Sequence, residues 1–162
     1  MVKAVLWILI GLISGLVLAI FLKIPQLLWQ VDAYNLLFEV SYIPLLNQMR
    51  PVWLIQGIFH FATCIFSLCI LYYLLAYFKK EMRLVYYIVI VGIGSTLLYF
   101  LTLLPDNTPP ITDYVAWSFW TIGHVLFSLT GWYLIREWIG KKVVDRMNMD
   151  KSILKSNNTQ NT

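Results

Sequence analysis

The sequence predicts an all-α polytopic membrane protein, a bundle of four transmembrane helices with both termini cytoplasmic and an outer amphipathic interfacial helix between spans one and two. Three observations predict it. The 162 residues are 60% hydrophobic and only 12% charged, where soluble domains hold roughly 45–50% apolar and 25% charged residues. The apolar residues gather in four runs, each near the ~20 needed to cross hydrocarbon. Every Lys and Arg except Lys23 and Arg50 falls on one side once those runs alternate across a bilayer.

The first run, Ala4–Leu22, follows Met1-Val2-Lys3. It has the look of a signal peptide, but it is longer than the usual ~7–15 apolar residues and no A-x-A site follows, so it reads as a retained first span. The outer loop, 24–51, places Asp32, Asn35 and Glu39 on one side and Leu28, Val31, Tyr34 and Phe38 on another. That pattern is an amphipathic helix lying on the outer surface or capping the bundle. Span two covers about 52–78 and is long enough to tilt. Span three covers 84–104, closed by Pro105, and span four covers 114–137, ending in Arg136-Glu137-Trp138. Proline sits at span ends (Pro25, Pro51, Pro105), where an uninterrupted helix tolerates it. The membrane domain is thus 1–142, followed by a basic and polar cytoplasmic tail, 143–162, without material for a core.

Lys79, Lys80 and Arg83 lie between spans two and three, Lys3 at the start, and Arg136 onward at the end. The positive-inside rule therefore places both termini in the cytoplasm. Trp7, Trp53, Tyr72, Tyr73, Tyr77, Tyr86, Tyr87, Trp117 and Trp138 fit interfacial belts at the span ends. Basic residues that set topology do not form a nucleic-acid-reading face, so the expected partners are the lipid bilayer and other copies of this chain in a homo-oligomer. No small-molecule ligand is indicated. Cys64 and Cys69 share one run and point about 140° apart on a helix, which rules out an intrahelical bridge.

Each span carries a stripe of small or polar residues. Gly11, Ser14 and Gly15 mark span one, Gln56, Gly57, His60, Cys64 and Ser67 span two. Gly92, Ser95 or Thr96, Tyr99 and Thr102 mark span three, and Thr121, His124, Ser128 and Gly131 span four. Small residues let helices approach in lipid, and side-chain hydrogen bonds there contribute about 0.6–2 kcal/mol each. Gly11, Ser14, Gly15, Gly57, Gly92 and Gly131 are the expected packing positions. His60, His124, Gln56, Ser67, Tyr99, Thr121 and Ser128 are the functional candidates.

His60 and His124 stand apart because they are the ionisable acid–base groups set deep within the runs. His60 lies ~12 Å below the start of its span and His124 ~15 Å below the start of its own. Spans two and four run in the same direction, so the imidazoles sit at similar depth in the outer half of the bilayer. No Asp or Glu lies inside a span, and no Gly-rich phosphate loop, H-E-x-x-H or zinc spacing is present. The expectation is a protein that is not an enzyme, with no metal and no cofactor; bis-histidine haem ligation and a small transporter or channel subunit are the alternatives.

With these motifs placed, the chain resembles the YagU family of small bacterial inner-membrane proteins of uncharacterised biochemistry. The resemblance rests on Ile10-Gly11-Leu12-Ile13-Ser14-Gly15, on Gly57-Ile-Phe-His60 with Ser67 seven residues on, on Thr108-Pro109-Pro110, and on Gly123-His124 ahead of Ile135-Arg136. It covers residues 4–142. It implies the bacterial cytoplasmic membrane and a contribution to acid resistance. The family's longer first outer loop with a Pro-Pro-Arg run is absent here. A span-three histidine is replaced around Leu98-Tyr99, and a glutamate by Phe119-Trp120, so only a two-histidine core carries over. The expected function is response to acidic pH: a free imidazole titrates near ~6.5, and two close imidazoles repel once both are charged.

Overall fold

The computed structural model describes residues 2–40, 53–103 and 109–141. These residues are all-helical, without strands. Helix α1 spans Val2–Trp29, α2 Ala33–Phe38, α3 Trp53–Tyr77, α4 Leu84–Leu98 and α5 Tyr114–Ile135. A 3-10 segment, Tyr99–Leu103, prolongs α4, and a π-helical turn, Arg136–Gly140, prolongs α5. Among the described residues three helices are long and apolar enough to cross a membrane: Ala4–Trp29, Trp53–Tyr77 and Leu84–Leu103. Their outward faces are large and apolar, as Leu16, Ile58, Phe66, Ile93 and Leu97 show. Apolar surface of that extent is tolerated where lipid replaces water. Helix α5 carries no Asp, Glu, Lys or Arg over its 22 residues, yet it falls outside those three because Trp, Tyr, Ser, Thr, His and Gly dilute its apolar content.

The helix ends differ from the sequence expectation. Span one does not stop at Leu22; α1 runs through Pro25 for a further turn and ends where Gln30 adopts a left-handed φ of 57°. Pro25 is fully buried, and the packing around it holds the helix through a residue that contributes no N–H. The interfacial helix is shorter than its periodicity suggested. Leu28 belongs to α1, and α2 has six residues, with Ala33 and Leu36 buried against α1, α3 and α5. It caps the bundle. Lys23 donates to Gln26 Oε1 (2.8 Å), Gln26 to Asn35 Oδ1 (2.7 Å) and Asn35 to Asp32 Oδ1 (3.0 Å), so the polar side of that pattern ties α2 to α1. Pro51, Pro105 and the tail from 142 onward lie outside the described residues.

Helix α1 is the spine. It packs against α3 on one side and α5 on the other, and α5 in turn packs against α4. Gly11, Gly15 and Gly131 lie where neighbouring helices approach closely. A Cβ on Gly11 would lie 2.6 Å from the Ile65 Cα, one on Gly15 2.9 Å from the Cys64 Sγ, and one on Gly131 2.6 Å from Leu68 Cδ2. Gly123 is equally tight, 2.9 Å from Leu18 Cδ1. Ser14 is fully buried with its Oγ unpartnered. Gly57 differs from the expectation: among the described residues nothing lies within 4 Å of a Cβ there, and Gly92 has room against Val125 at 3.9 Å.

Two of the expected belt residues are also buried. Trp7 is 9% exposed and packs on Tyr72 and Tyr73 (ring centroids 5.2 and 6.0 Å), and Tyr87 donates from the core to the Glu81 carbonyl at 3.1 Å. Trp132 Nε1 donates to the Met82 carbonyl at 3.1 Å. These contacts gather the start of α1, the α3–α4 turn and the end of α5 at one end of the bundle, along with Lys79, Lys80, Arg83, Arg136 and Lys141. At the opposite end Asp113 caps α5, accepting from Val115 N (3.1 Å) and Ala116 N (2.9 Å).

Candidate functional site

Helices α3 and α4 are joined by a short turn but share no extended packed face. Between them, backed by α5 and closed at one end by α2, lies a cavity of about 480 Å3. Its wall includes His60 and Cys64 from α3, Trp120, His124 and Phe127 from α5, and Ser95 from α4. Leu36 and Leu37 of α2 form the cap, and Leu18 of α1 closes the back. The cleft opens sideways past Ile70, Leu74, Ile90 and Leu98, all of which are exposed.

His60 is 5% exposed. Its Nε2 lies 3.3 Å from the Gly15 carbonyl. A carbonyl oxygen only accepts, so the neutral ring carries its proton on Nε2, and Nδ1 retains a lone pair. The small residues of α1 make this bond: without a side chain on Gly15 the two helices approach until its carbonyl reaches the imidazole. The ring is also packed by Phe38 (5.2 Å) and Phe61 (5.0 Å), and the Cys64 Sγ sits 3.7 Å from Nε2 and 3.9 Å from Nδ1.

His124 has the opposite tautomer. Its Nδ1 donates to the Trp120 carbonyl one turn back, at 2.8 Å, which leaves the lone pair on Nε2. The Trp120 ring lies 4.3 Å from the imidazole, and the indole Nε1 donates to the Ser95 carbonyl at 2.8 Å, locking α5 to α4. Both imidazoles border one cavity. Among the described residues the wall holds no Asp, Glu, Lys or Arg; Cys64 is the other titratable side chain there.

The remaining candidates divide. Ser67 lies on the exposed rim of the same cavity. Gln56 is not on its wall. Tyr99 is buried, stacks on Trp117 (5.7 Å) and donates to the Asp113 carbonyl at 3.3 Å, a structural bond between α4 and the start of α5. Thr121 meets Thr96 at 3.4 Å beside a separate outer groove. Ser128 is buried and returns its hydroxyl to the Val125 carbonyl at 2.8 Å. Trp120 is the wall residue the sequence reading missed as such. Its signal was its position four residues before His124, on the same helix face. Among the described residues no cluster of three or more His, Cys, Asp or Glu could hold a metal ion.

The chain matches no family model, no curated protein and no solved structure, so the likeness to the YagU family stands on its short motifs alone.

Proposed function

We propose that this chain is a non-enzymatic four-span protein of a bacterial cytoplasmic membrane, with both termini cytoplasmic, that responds to external acid through His60 and His124. The observation that carries the reading is the shared cavity: two imidazoles from different helices, no carboxylate between them. Protonating both places two like charges in an apolar space, and the cheapest relief is to separate α3 from α5. The clustering of Lys79, Lys80, Arg83, Arg136 and Lys141 at one end supports the orientation. The motifs shared with the YagU family point toward the same membrane and the same acid response.

The fourth span is α5. It is free of charged residues and embraced by α1 and α4, and such a helix crosses hydrocarbon with its polar groups turned inward. Haem ligation fits the residues less well, because among the described residues no cation on the wall would meet propionates.

The test is NMR titration of 15N-histidine-labelled protein in detergent micelles. If the two rings are coupled, His60→Gln moves the titration of His124, and His124→Gln moves that of His60. Superimposable curves for each ring with and without its neighbour would overturn the reading.

A further inference from the structure

The wall of the cleft is rich in acceptors and poor in donors. Thr63 spends its hydroxyl on the Phe59 carbonyl (2.8 Å), Ser95 on that of Gly92 (3.0 Å), and Trp120 its indole N–H on that of Ser95 (2.8 Å). Each histidine likewise gives its N–H to a backbone carbonyl. What remains is the Ser67 hydroxyl on the exposed rim and, deeper in, the His124 Nε2 lone pair and that of His60 Nδ1 with the weak Cys64 thiol near it at 3.9 Å. A polar group that reaches the histidines must donate.

Two further features narrow the chemistry. Among the described residues the wall has no Lys or Arg, so a carboxylate or phosphate would meet no counter-charge from them. His124 lies ten residues into α5, about 15 Å from its outer end, too deep for a phospholipid headgroup that stays at the interface. The cavity's volume, about 480 Å3, falls within the roughly 300–1,000 Å3 of small-molecule sites, and its exposed apolar rim opens toward lipid.

We propose that the cleft between α3 and α4 binds an uncharged, membrane-dissolved molecule with a hydroxyl head on an apolar body, an alcohol or phenol that donates its O–H to His124 Nε2. It enters sideways from the bilayer, past Ile70, Leu74 and Leu98. This rests on the membrane reading above but not on the acid response, and it is tested at a constant pH of 7.5, where that response plays no part.

The probes are 11-bromoundecan-1-ol and its methyl ether, which share the apolar chain and differ in the donor. Bromine quenches tryptophan, and Trp120 lines the wall. Titrated into purified protein in nanodiscs, the alcohol should quench saturably, with half-effect at about tenfold lower concentration than the ether, the worth of one hydrogen bond. His124→Leu should erase that difference. Gly94→Phe guards against misfolding: Gly94 lines the cleft and, among the described residues, nothing lies within 4 Å of a Cβ there, so the added side chain starts into open space on the cleft wall. That variant should keep its helicity and melting temperature but lose saturable quenching. Equal quenching by alcohol and ether, or a Gly94→Phe protein that still saturates, would overturn the proposal. So would a wild-type dimer that Gly94→Phe converts to monomer, which would make the cleft an interface between copies.

Discussion

Gly11 and Gly57 are both glycines on small stripes of neighbouring helices, yet their environments are opposite. At Gly11 an added Cβ meets the backbone of Ile65, which has no rotamer through which to yield. At Gly57 it meets open space. Gly11→Ala should therefore destabilise the protein by about 1–3 kcal/mol, the usual cost of overpacking. Gly57→Ala should leave stability unchanged or raise it by up to about 1 kcal/mol, through helix propensity alone. Unfolding in mixed micelles with increasing SDS measures both, and an equal loss for the two would contradict the packing. The sequence distinguished neither glycine from the other, since both repeat with helical period beside polar residues. What separates them is which helix lies opposite, and that depends on the order α3–α1–α5–α4, which no local pattern encodes. The histidines were legible for the converse reason: a titratable ring within an apolar run is conspicuous whatever packs on it. Their carbonyl partners were not, because any backbone oxygen looks alike in sequence.

Helices were readable from apolar runs, and their ends were not. Pro25 marked a plausible stop for α1, but the buried environment carried the helix a turn further. Helix α3 ends where charge begins, and the mechanism is specific. Lys79 takes a left-handed φ of 56°, while Lys79 N bonds to the Ala76 carbonyl (2.9 Å) and Lys80 N to that of Leu75 (2.8 Å). This is a Schellman closure with lysine where glycine is usual. Lys79→Gly should relieve the strain and stabilise the fold by about 0.5–1 kcal/mol, while Lys79→Val should destabilise it. A lower melting temperature for the glycine variant would show that the lysine is held there by an interaction stronger than its backbone cost. A basic residue thus occupies a turn position that backbone geometry alone would give to glycine.

At the scale of the whole molecule, the bundle is asymmetric: three of its four long-helix seams around the ring are closed and one, between α3 and α4, is open onto the histidine cavity. Composition predicted a membrane bundle but could not reveal the open seam, because a lipid-facing residue and a cleft-facing residue are equally apolar. The orientation can be read directly. Alkaline phosphatase fused after Lys142 should be inactive and one inserted at Asn107 active, and the reverse would invert the topology. The central claim is that His60 and His124 act as one unit, and the direct measurement is a mutant cycle in stability. Wild type, His60→Gln, His124→Gln and the double variant are unfolded at pH 7 and at pH 5. In the folded protein two charged imidazoles share one apolar cavity, whereas in the unfolded chain they are apart. The folded state therefore binds fewer protons below about pH 6.5, and the wild type should lose stability as pH falls through that range. Either single substitution removes the repulsion but leaves one buried imidazole, so the wild-type loss, taken relative to the double variant, should exceed the losses of the two single variants added together. If the two single-variant losses add up to the wild-type loss, or the four proteins lose the same stability between pH 7 and pH 5, the two histidines do not act together and the acid response is contradicted.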